Sequence, residues 1–423
     1  MFKFLLKGVF RDRHRWLFPT LIVTSAVGLL IFAFAFLEGF KNSYIRQSSR
    51  FSSGHLKVVS RAYAEMLDLK PYDLALLDVS DDLAAWKQEY PQLEWVERIN
   101  FGALLDVPDE TGETRVQGEV LGFAIDIFNS PAELKRLQLE SSLDQGNLPA
   151  KPGEILLSAL AAEKMELKPG DTVTLMGSTV FGAMTMRNFT ISGTVEFGVY
   201  TLDRSALVAD IADISEMLDM SGASGEILCF FKDGEYNLRE ATKIADTFNA
   251  KYSDPGDEFS PQILRLNDQG NLGPILKMLD YSLLWMALGF SAVLAIVLWN
   301  AGLLNGIRRY GEFGLRLAIG ESKRRVYGSL LTEAFIIGTV GGVLGAAIGT
   351  GISMYFNTKG MDMSIYNRSA SMMTENYLYT SISPGSIIAG FVPAILSTVC
   401  GAALAGIAIF KRETSQLFKE LET

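Results

Sequence analysis

Two residue types that carry most hydrolytic and redox chemistry are nearly missing from this chain. It has two histidines, His14 and His55, far apart in sequence, which argues against a His-based catalytic centre. It has two cysteines, Cys229 in "GEILCFF" and Cys400 inside an apolar run. Cys229 reads as a buried strand residue. The pair offers no metal-ligand spacing and argues against an intramolecular disulfide. Positive charge is also short: the formal net charge is −10, without the basic footprint that phosphate-backbone binding requires, so nucleic acid is not an expected partner. No GxxxxGK[ST] occurs; "GESKRR" lacks the second glycine and the Lys-Ser/Thr end. With no Ser-His-Asp set and no Gly-rich phosphate loop, the chain reads as non-catalytic, with no cofactor or metal of its own.

Apolar sequence, by contrast, is abundant. The chain has 423 residues, 48% hydrophobic and 20% charged, with a mean hydropathy of +0.20. That mixture fits a membrane protein with a substantial soluble part. A bilayer core takes about 20 largely apolar residues per helix. Four runs qualify: Leu17–Leu37, Tyr281–Leu304, Val326–Phe356 with Glu333 near its start, and Ser386–Phe410. Ala33-Phe34-Ala35 formally matches a signal-peptidase site, but a long basic region precedes the first run and the run continues to Leu37. An uncleaved anchor is the expected state.

Basic residues near the span ends set the expected orientation. Lys3, Lys7, Arg11, Arg13 and Arg15 precede the first run, and Lys411, Arg412 and Lys419 follow the fourth. Six more, Arg308, Arg309, Arg316, Lys323, Arg324 and Arg325, separate the second from the third. The connection between the third and fourth has only Lys359 and Arg368. Both termini and the 306–325 segment are therefore expected in the cytoplasm. The organisation that follows is a segment 1–16, a transmembrane helix 17–40, an extracytoplasmic domain 41–277, and a helix 278–305. A short charged segment 306–325, a helix 326–356, an outer loop 357–383, a helix 384–410 and a tail 411–423 complete it.

Residues 41–277 read as an α+β domain inserted between the first two transmembrane helices. Runs such as "HLKVV", "TVTLM", "NFTISGTVEF" and "SALVAD" have strand character between Gly, Pro and Asp turn signals. "SDDLAAWKQEY", "ALAAEKMEL" and "LREATKIADTFNAKY" have helical patterns. Acidic residues exceed basic ones there by roughly fifteen, read as a solvated surface. Within the apolar runs, glycines recur at four-residue spacing: Gly341, Gly345 and Gly349, with Gly338 and Gly342 offset, then Gly302/Gly306 and Gly401/Ala405. Such stripes allow close helix approach in lipid, either within the chain or at a dimer seam. Pro393 is expected to kink the fourth helix. The Met-rich "MDMSIYNRSASMMTEN" is long for a connector and reads as a disordered or contact-making element.

The charged stretch reads as two helices. Arg309–Ile319 is amphipathic and is ended by Gly320, suited to a left-handed cap. Tyr310, Phe313 and Leu317 share one face, while Arg309, Glu312 and Arg316 form a charged stripe. Ser322 is placed to cap the helix that becomes the third span. Lys323, Arg324 and Arg325 fall in its first turn, where the macrodipole disfavours cations by about 0.3–1 kcal/mol each, so anionic headgroups or an acidic partner surface should compensate. A solvated Glu312 would pair with Arg309 or Arg316. Glu333, near the cytoplasmic end of the third span, is placed to snorkel to the interface.

Two regions carry a family resemblance. "PGEILLSALAAEKMELKPGDTVTL" (152–175) with "FTISGTVEFGVYTLDRSALVADI" (189–211) resembles the extracytoplasmic core of MacB/FtsX/LolC–LolE type ABC transporter permeases. "NAGLLNGIRRYGEFGLRLAIGESKRRVYGSLLTEAFIIGTVGGVLGAAIG" (300–349) resembles their signature after the second span. "GHLKVV" (54–59) is similar to the LolC/LolE branch. The resemblance implies a mechanotransmission permease of the bacterial inner membrane, paired with a second copy or a paralogue. It also implies a separate ABC ATPase dimer that binds ATP and Mg, since MacB itself carries its ATPase on the same chain and no phosphate-binding loop occurs here. Arg309, Glu312, Phe313, Gly314, Arg316 and Gly320 become the expected ATPase-coupling residues. For Glu333 the resemblance implies instead a structural contact to a neighbouring helix or to the short charged helix. Lipoprotein release from the inner membrane, with a periplasmic carrier, is the first functional expectation. MacB-like export of a small molecule or peptide with a periplasmic adaptor is the second, and FtsX-like control of a cell-wall hydrolase the third. Phe32, Phe36 and Phe290 are candidate acyl-chain contacts, with bundle packing as their plainer reading.

Overall fold

The computed structural model describes residues 13–109, 111–308, 310–363 and 377–410. The chain divides into two compact units: Met1–Asn42, Lys277–Met361 and Leu378–Thr423 form one, Ser43–Leu276 and Asp362–Tyr377 the other. The flanking basic residues Lys3, Lys7, Arg11, Lys411, Arg412 and Lys419, together with Arg368 and most of the Met-rich stretch, lie outside the described residues.

The first unit is helical. Four helices among the described residues are long and apolar enough to cross a membrane. They are Arg13–Ser48, Leu272–Arg308, Lys323–Lys359 and Pro384–Phe410. The first helix overruns its expected end at residue 40. It continues to Ser48 and then as a π-helical turn, Ser49–Ser53, stopping at Gly54 with φ +62. No Gly or Pro interrupts 41–53, so nothing breaks the backbone hydrogen bonding before Gly54. Helical structure likewise reaches Lys359 before Gly360 (φ +73) ends it, taking the first residues of the expected 357–383 loop. The fourth helix runs through Pro393 without a break in its assignment.

Both glycine stripes of the third long helix pack within the chain. A Cβ at Gly345 would stand 2.6 Å from the Thr24 carbonyl oxygen, and one at Gly349 2.6 Å from that of Gly28, both on the first helix. Gly342 faces Phe391, and Gly338 faces Thr398, on the fourth. One stripe thus serves each neighbour, and hydrogen does the work that a methyl would prevent. Gly349→Ala is expected to destabilise the full-length chain in detergent by about 1–3 kcal/mol through overpacking. Gly351→Ala, whose added Cβ meets nothing within 4 Å, should hold the thermal midpoint or raise it slightly. Equal shifts for the two would refute this account of the stripe.

The second unit is α+β, as the sequence patterns imply. Its strands are β1 (Leu56–Ser60), β2 (Leu93–Pro108), β3 (Thr114–Ile125), β4 (Leu143–Gly146) and β5 (Glu154–Ser158). They continue as β6 (Thr172–Ser178), β7 (Met184–Val195), β8 (Ala206–Asp210), β9 (Glu226–Phe231) and β10 (Pro261–Arg265). The sixteen residues of β2 serve two lobes. Its first half pairs antiparallel with β9, its second half with β3 and β6. Because β6 also pairs with β7, the path β2–β3–β8–β5–β7–β6 closes on itself. Closure removes the edges of those six strands, and β4, paired with β7 alone, stays as the one edge strand described there. Leu105, Ile155, Leu157, Val173, Leu175 and Phe189 fill its interior.

The other lobe runs β10–β1–β9–β2 and is covered by helices Ser80–Glu89 and Leu238–Tyr252, whose Trp86 and Phe248 rings meet edge-on at 5.1 Å. Asn237 caps the second of these, its side chain accepting from the Arg239 and Glu240 N–H groups. Cys229 is fully buried in β9 and burial pushes its thiol pKa up, as expected of an inert core position.

Candidate functional site

The charged segment before the third long helix forms an elbow against that helix. Residues Tyr310–Ala318 are helical. The helix ends in paired bonds, Gly320 N–H to the Leu317 carbonyl (3.1 Å) and Glu321 N–H to the Arg316 carbonyl (3.0 Å). This is the Schellman pattern, and it needs the left-handed Gly320, φ +95. Glycine at that position is therefore a backbone requirement.

Arg316 ties the elbow together. Its guanidinium Nε donates to Glu321 Oε2 at 2.8 Å and its Nη1 to Ser329 Oγ at 3.3 Å. The short helix is thus fastened both to its own cap and to the third long helix. A solvated Glu312 was expected to pair with Arg309 or Arg316; Arg316 itself bonds Glu321, because the turn at Gly320 folds that side chain back. Ser322 stands at the N-cap of Lys323–Lys359, yet its side chain makes no capping bond, contrary to expectation. Lys323, Arg324 and Arg325 are exposed in the first turn.

Helical spacing places Glu312, Leu315 and Ile319 on one face. Glu312 is half-buried, while Leu315 is 63% and Ile319 77% exposed. An acid flanked by two exposed aliphatic side chains is a contact surface in composition. Leu315 and Ile319 were not singled out in the sequence; their i, i+4 spacing was the available signal. Gly314 is half-buried and a Cβ there would meet nothing within 4 Å, so it marks no close approach within the chain. Phe313 occupies a helical position. Arg309 lies outside the described residues.

The candidate acyl-chain contacts do not converge. Phe32 is half-buried against Phe356, ring centroids 5.9 Å apart. Phe36 and Phe290 are also half-buried, and among the described residues no ring contact joins the three. No group of three or more metal-ligating residues occurs among the described residues either.

Comparison with known proteins adds the following. Residues 284–414 match the model of the FtsX-like permease C-terminal family, and residues 20–235, about half of the chain, match that of the MacB-like periplasmic core domain. The chain is 33% identical over 94 residues to the macrolide export ATP-binding/permease protein MacB of Chromobacterium violaceum, covering 21% of this chain and 15% of that protein. It is 29% identical over 108 residues to the Agrobacterium fabrum protein of the same name, covering 24% and 16%. The matched stretches thus span about a sixth of those relatives' length. The crystal structure of the periplasmic region of MacB from Actinobacillus actinomycetemcomitans covers 55% of this chain and 95% of that one, with a TM-score of 0.35 and 12% identity.

Proposed function

Because the chain belongs to the MacB/FtsX-type family of ABC transporter permeases, we propose that it is the permease part of a MacB-like exporter. The observation that carries this reading is the pairing, on one chain, of a MacB-like core domain match with an FtsX-like match that brackets the charged elbow. Both curated relatives named above are MacB proteins. This support favours export of a small molecule of the macrolide class, or a peptide, over release of lipoproteins, which was the first expectation and has no comparable support.

In this reading, ATP and Mg bind an ABC ATPase dimer, and two permease copies or paralogues sit on it in a bacterial inner membrane. Both termini and the elbow face the cytoplasm, and the α+β unit faces the periplasm, where an adaptor docks. The face formed by Glu312, Leu315 and Ile319 contacts the ATPase. Phe313 and Arg309 flank that contact, while Gly314, Arg316 and Gly320 fix the shape of the helix that makes it. An apolar pair with one acid suits a partner groove lined by aliphatic side chains and a basic residue.

The test is Glu312→Lys in the permease–ATPase complex reconstituted in lipid nanodiscs. Substrate-stimulated ATP hydrolysis is expected to fall at least about tenfold, the loss from reversing one interfacial charge contact, with helicity unchanged by circular dichroism. Full stimulation in the variant would remove this face from the coupling surface. Macrolide-stimulated hydrolysis by the wild-type complex supports the export reading; stimulation by a lipoprotein alone would restore the release reading.

A further inference from the structure

The α+β unit is acidic overall, yet one cleft in it reverses the sign. The cleft has a volume of about 630 Å³ and lies between the helical stretch 43–53, the helix Pro131–Arg136 and the end of β9. Arg46, Arg50, Lys135, Arg136 and Lys232 line it, against Glu94 as the one lining carboxylate. Five cations drawn from three separate elements converge where acids outnumber bases by roughly fifteen in the surrounding domain. A solvated surface of average composition does not produce that concentration, and a concave site focuses it.

The walls are preorganised. The Arg136 guanidinium lies 4.0 Å over the Phe230 ring and donates to Glu94 Oε2 at 2.6 Å, with Glu133 behind it. Lys135 and Lys232 are exposed, and among the described residues neither has an ion-pair partner within 4 Å. His55 and Phe231 are also in the lining. Burial keeps His55 neutral at physiological pH, so it adds no charge; Asp233 is the acid beside it. The ammonium groups of Lys135 and Lys232, without an ion-pair partner among the described residues, beside three guanidinium groups in a headgroup-sized space suit the oxygens of a phosphate better than a single carboxylate.

We propose that this cleft is a binding site for a phosphate-bearing anion. Two sources share that chemistry: the headgroup of an acidic phospholipid and a soluble phosphate compound. Arg46 and Arg50 follow the end of the first apolar run within about a dozen residues of sequence, which brings the lipid source into consideration. The site stands apart from the transport reading and does not depend on it.

The experiment titrates the full-length chain, in neutral detergent, with dihexanoyl phosphatidylglycerol, dihexanoyl phosphatidylcholine and inorganic phosphate, read by thermophoresis. Phosphatidylglycerol is expected to bind more tightly than phosphatidylcholine. Lys135→Glu/Lys232→Glu, two exposed changes, should weaken binding at least about tenfold, and Lys135→Arg/Lys232→Arg should retain it. Variant-sensitive binding of phosphatidylglycerol alone assigns the lipid source, and variant-sensitive binding of inorganic phosphate assigns the soluble one; both uphold the site. Binding of neither phosphatidylglycerol nor inorganic phosphate, or binding unchanged by the charge reversal, would overturn it.

Discussion

Glu133→Ala is expected to destabilise the α+β unit by about 3–5 kcal/mol, the cost of stranding a buried charge. Glu133 is fully buried and Arg98 is 5% exposed. The Arg98 Nε donates to Glu133 Oε1 at 2.7 Å, and Arg136 holds the other oxygen. Arg98 also donates to the carbonyls of Arg50, at 2.7 Å, and Phe51. These belong to the helical turn Ser49–Ser53, whose terminal carbonyls have no partner within the helix. One guanidinium therefore joins β2, the helix Pro131–Arg136 and the end of the first long helix's extension.

Removing the carboxylate leaves that guanidinium without a counter-charge in a place water does not reach. The exposed pair Arg115–Glu166 supplies the control: Glu166→Ala should leave stability unchanged, because exposed pairs are screened. Urea unfolding of the full-length chain in detergent, with hydrogen exchange at the Gly54 amide that bonds the Ser49 carbonyl, reads both effects. Indistinguishable unfolding of the two variants would mean that the buried network contributes nothing.

Features set by local pattern could be read from the sequence, and features set by distant pairing could not. The four apolar runs were legible because length and missing charge decide them, and the left-handed turn at Gly320 because glycine follows an amphipathic stretch. The α+β character of the second unit followed from alternating patterns. Ring closure did not, since it depends on β6 meeting β2 across three intervening strands.

Buried charge was equally hidden. Lys57 and Glu226, 3.0 Å apart, and Tyr63, donating to the same carboxylate at 2.7 Å, look like ordinary surface residues until β1 and β9 lie side by side. The basic cleft shares this cause: its five cations come from three separated stretches of the sequence, around 46–50, 135–136 and 232. At the elbow, the sequence identified the helix and its cap, but attention to aromatic positions passed over Leu315 and Ile319. The first helix continues beyond its apolar run because no Gly or Pro interrupts 41–53, which the sequence does show.

Acid is expected to weaken the α+β unit through His55. The side chain is 3% exposed, its Nδ1 accepts from the Phe231 N–H at 3.0 Å, and the rings of Phe230, Phe231 and Tyr236 surround it. Burial pushes its pKa down to about 4; Asp233 opposes that shift and Arg136 adds to it. The unfolded chain takes up this proton near pH 6.5, the ordinary histidine value. Between pH 6.5 and about 4 the unfolded chain therefore binds more protons than the folded one, and stability falls as pH is lowered through that window. The full loss is about 3 kcal/mol, complete only below pH 4, and His55 adds no pH dependence above about pH 7. Protonation also removes the acceptor on which the Phe231 amide depends, leaving a buried donor unpaired. His55→Gln keeps an acceptor and cannot titrate. Its urea midpoint, followed by hydrogen exchange in β9, should change less between pH 7 and pH 4.5 than that of the wild type, whatever its starting value. An equal change would move the acid sensitivity from His55 to the carboxylates.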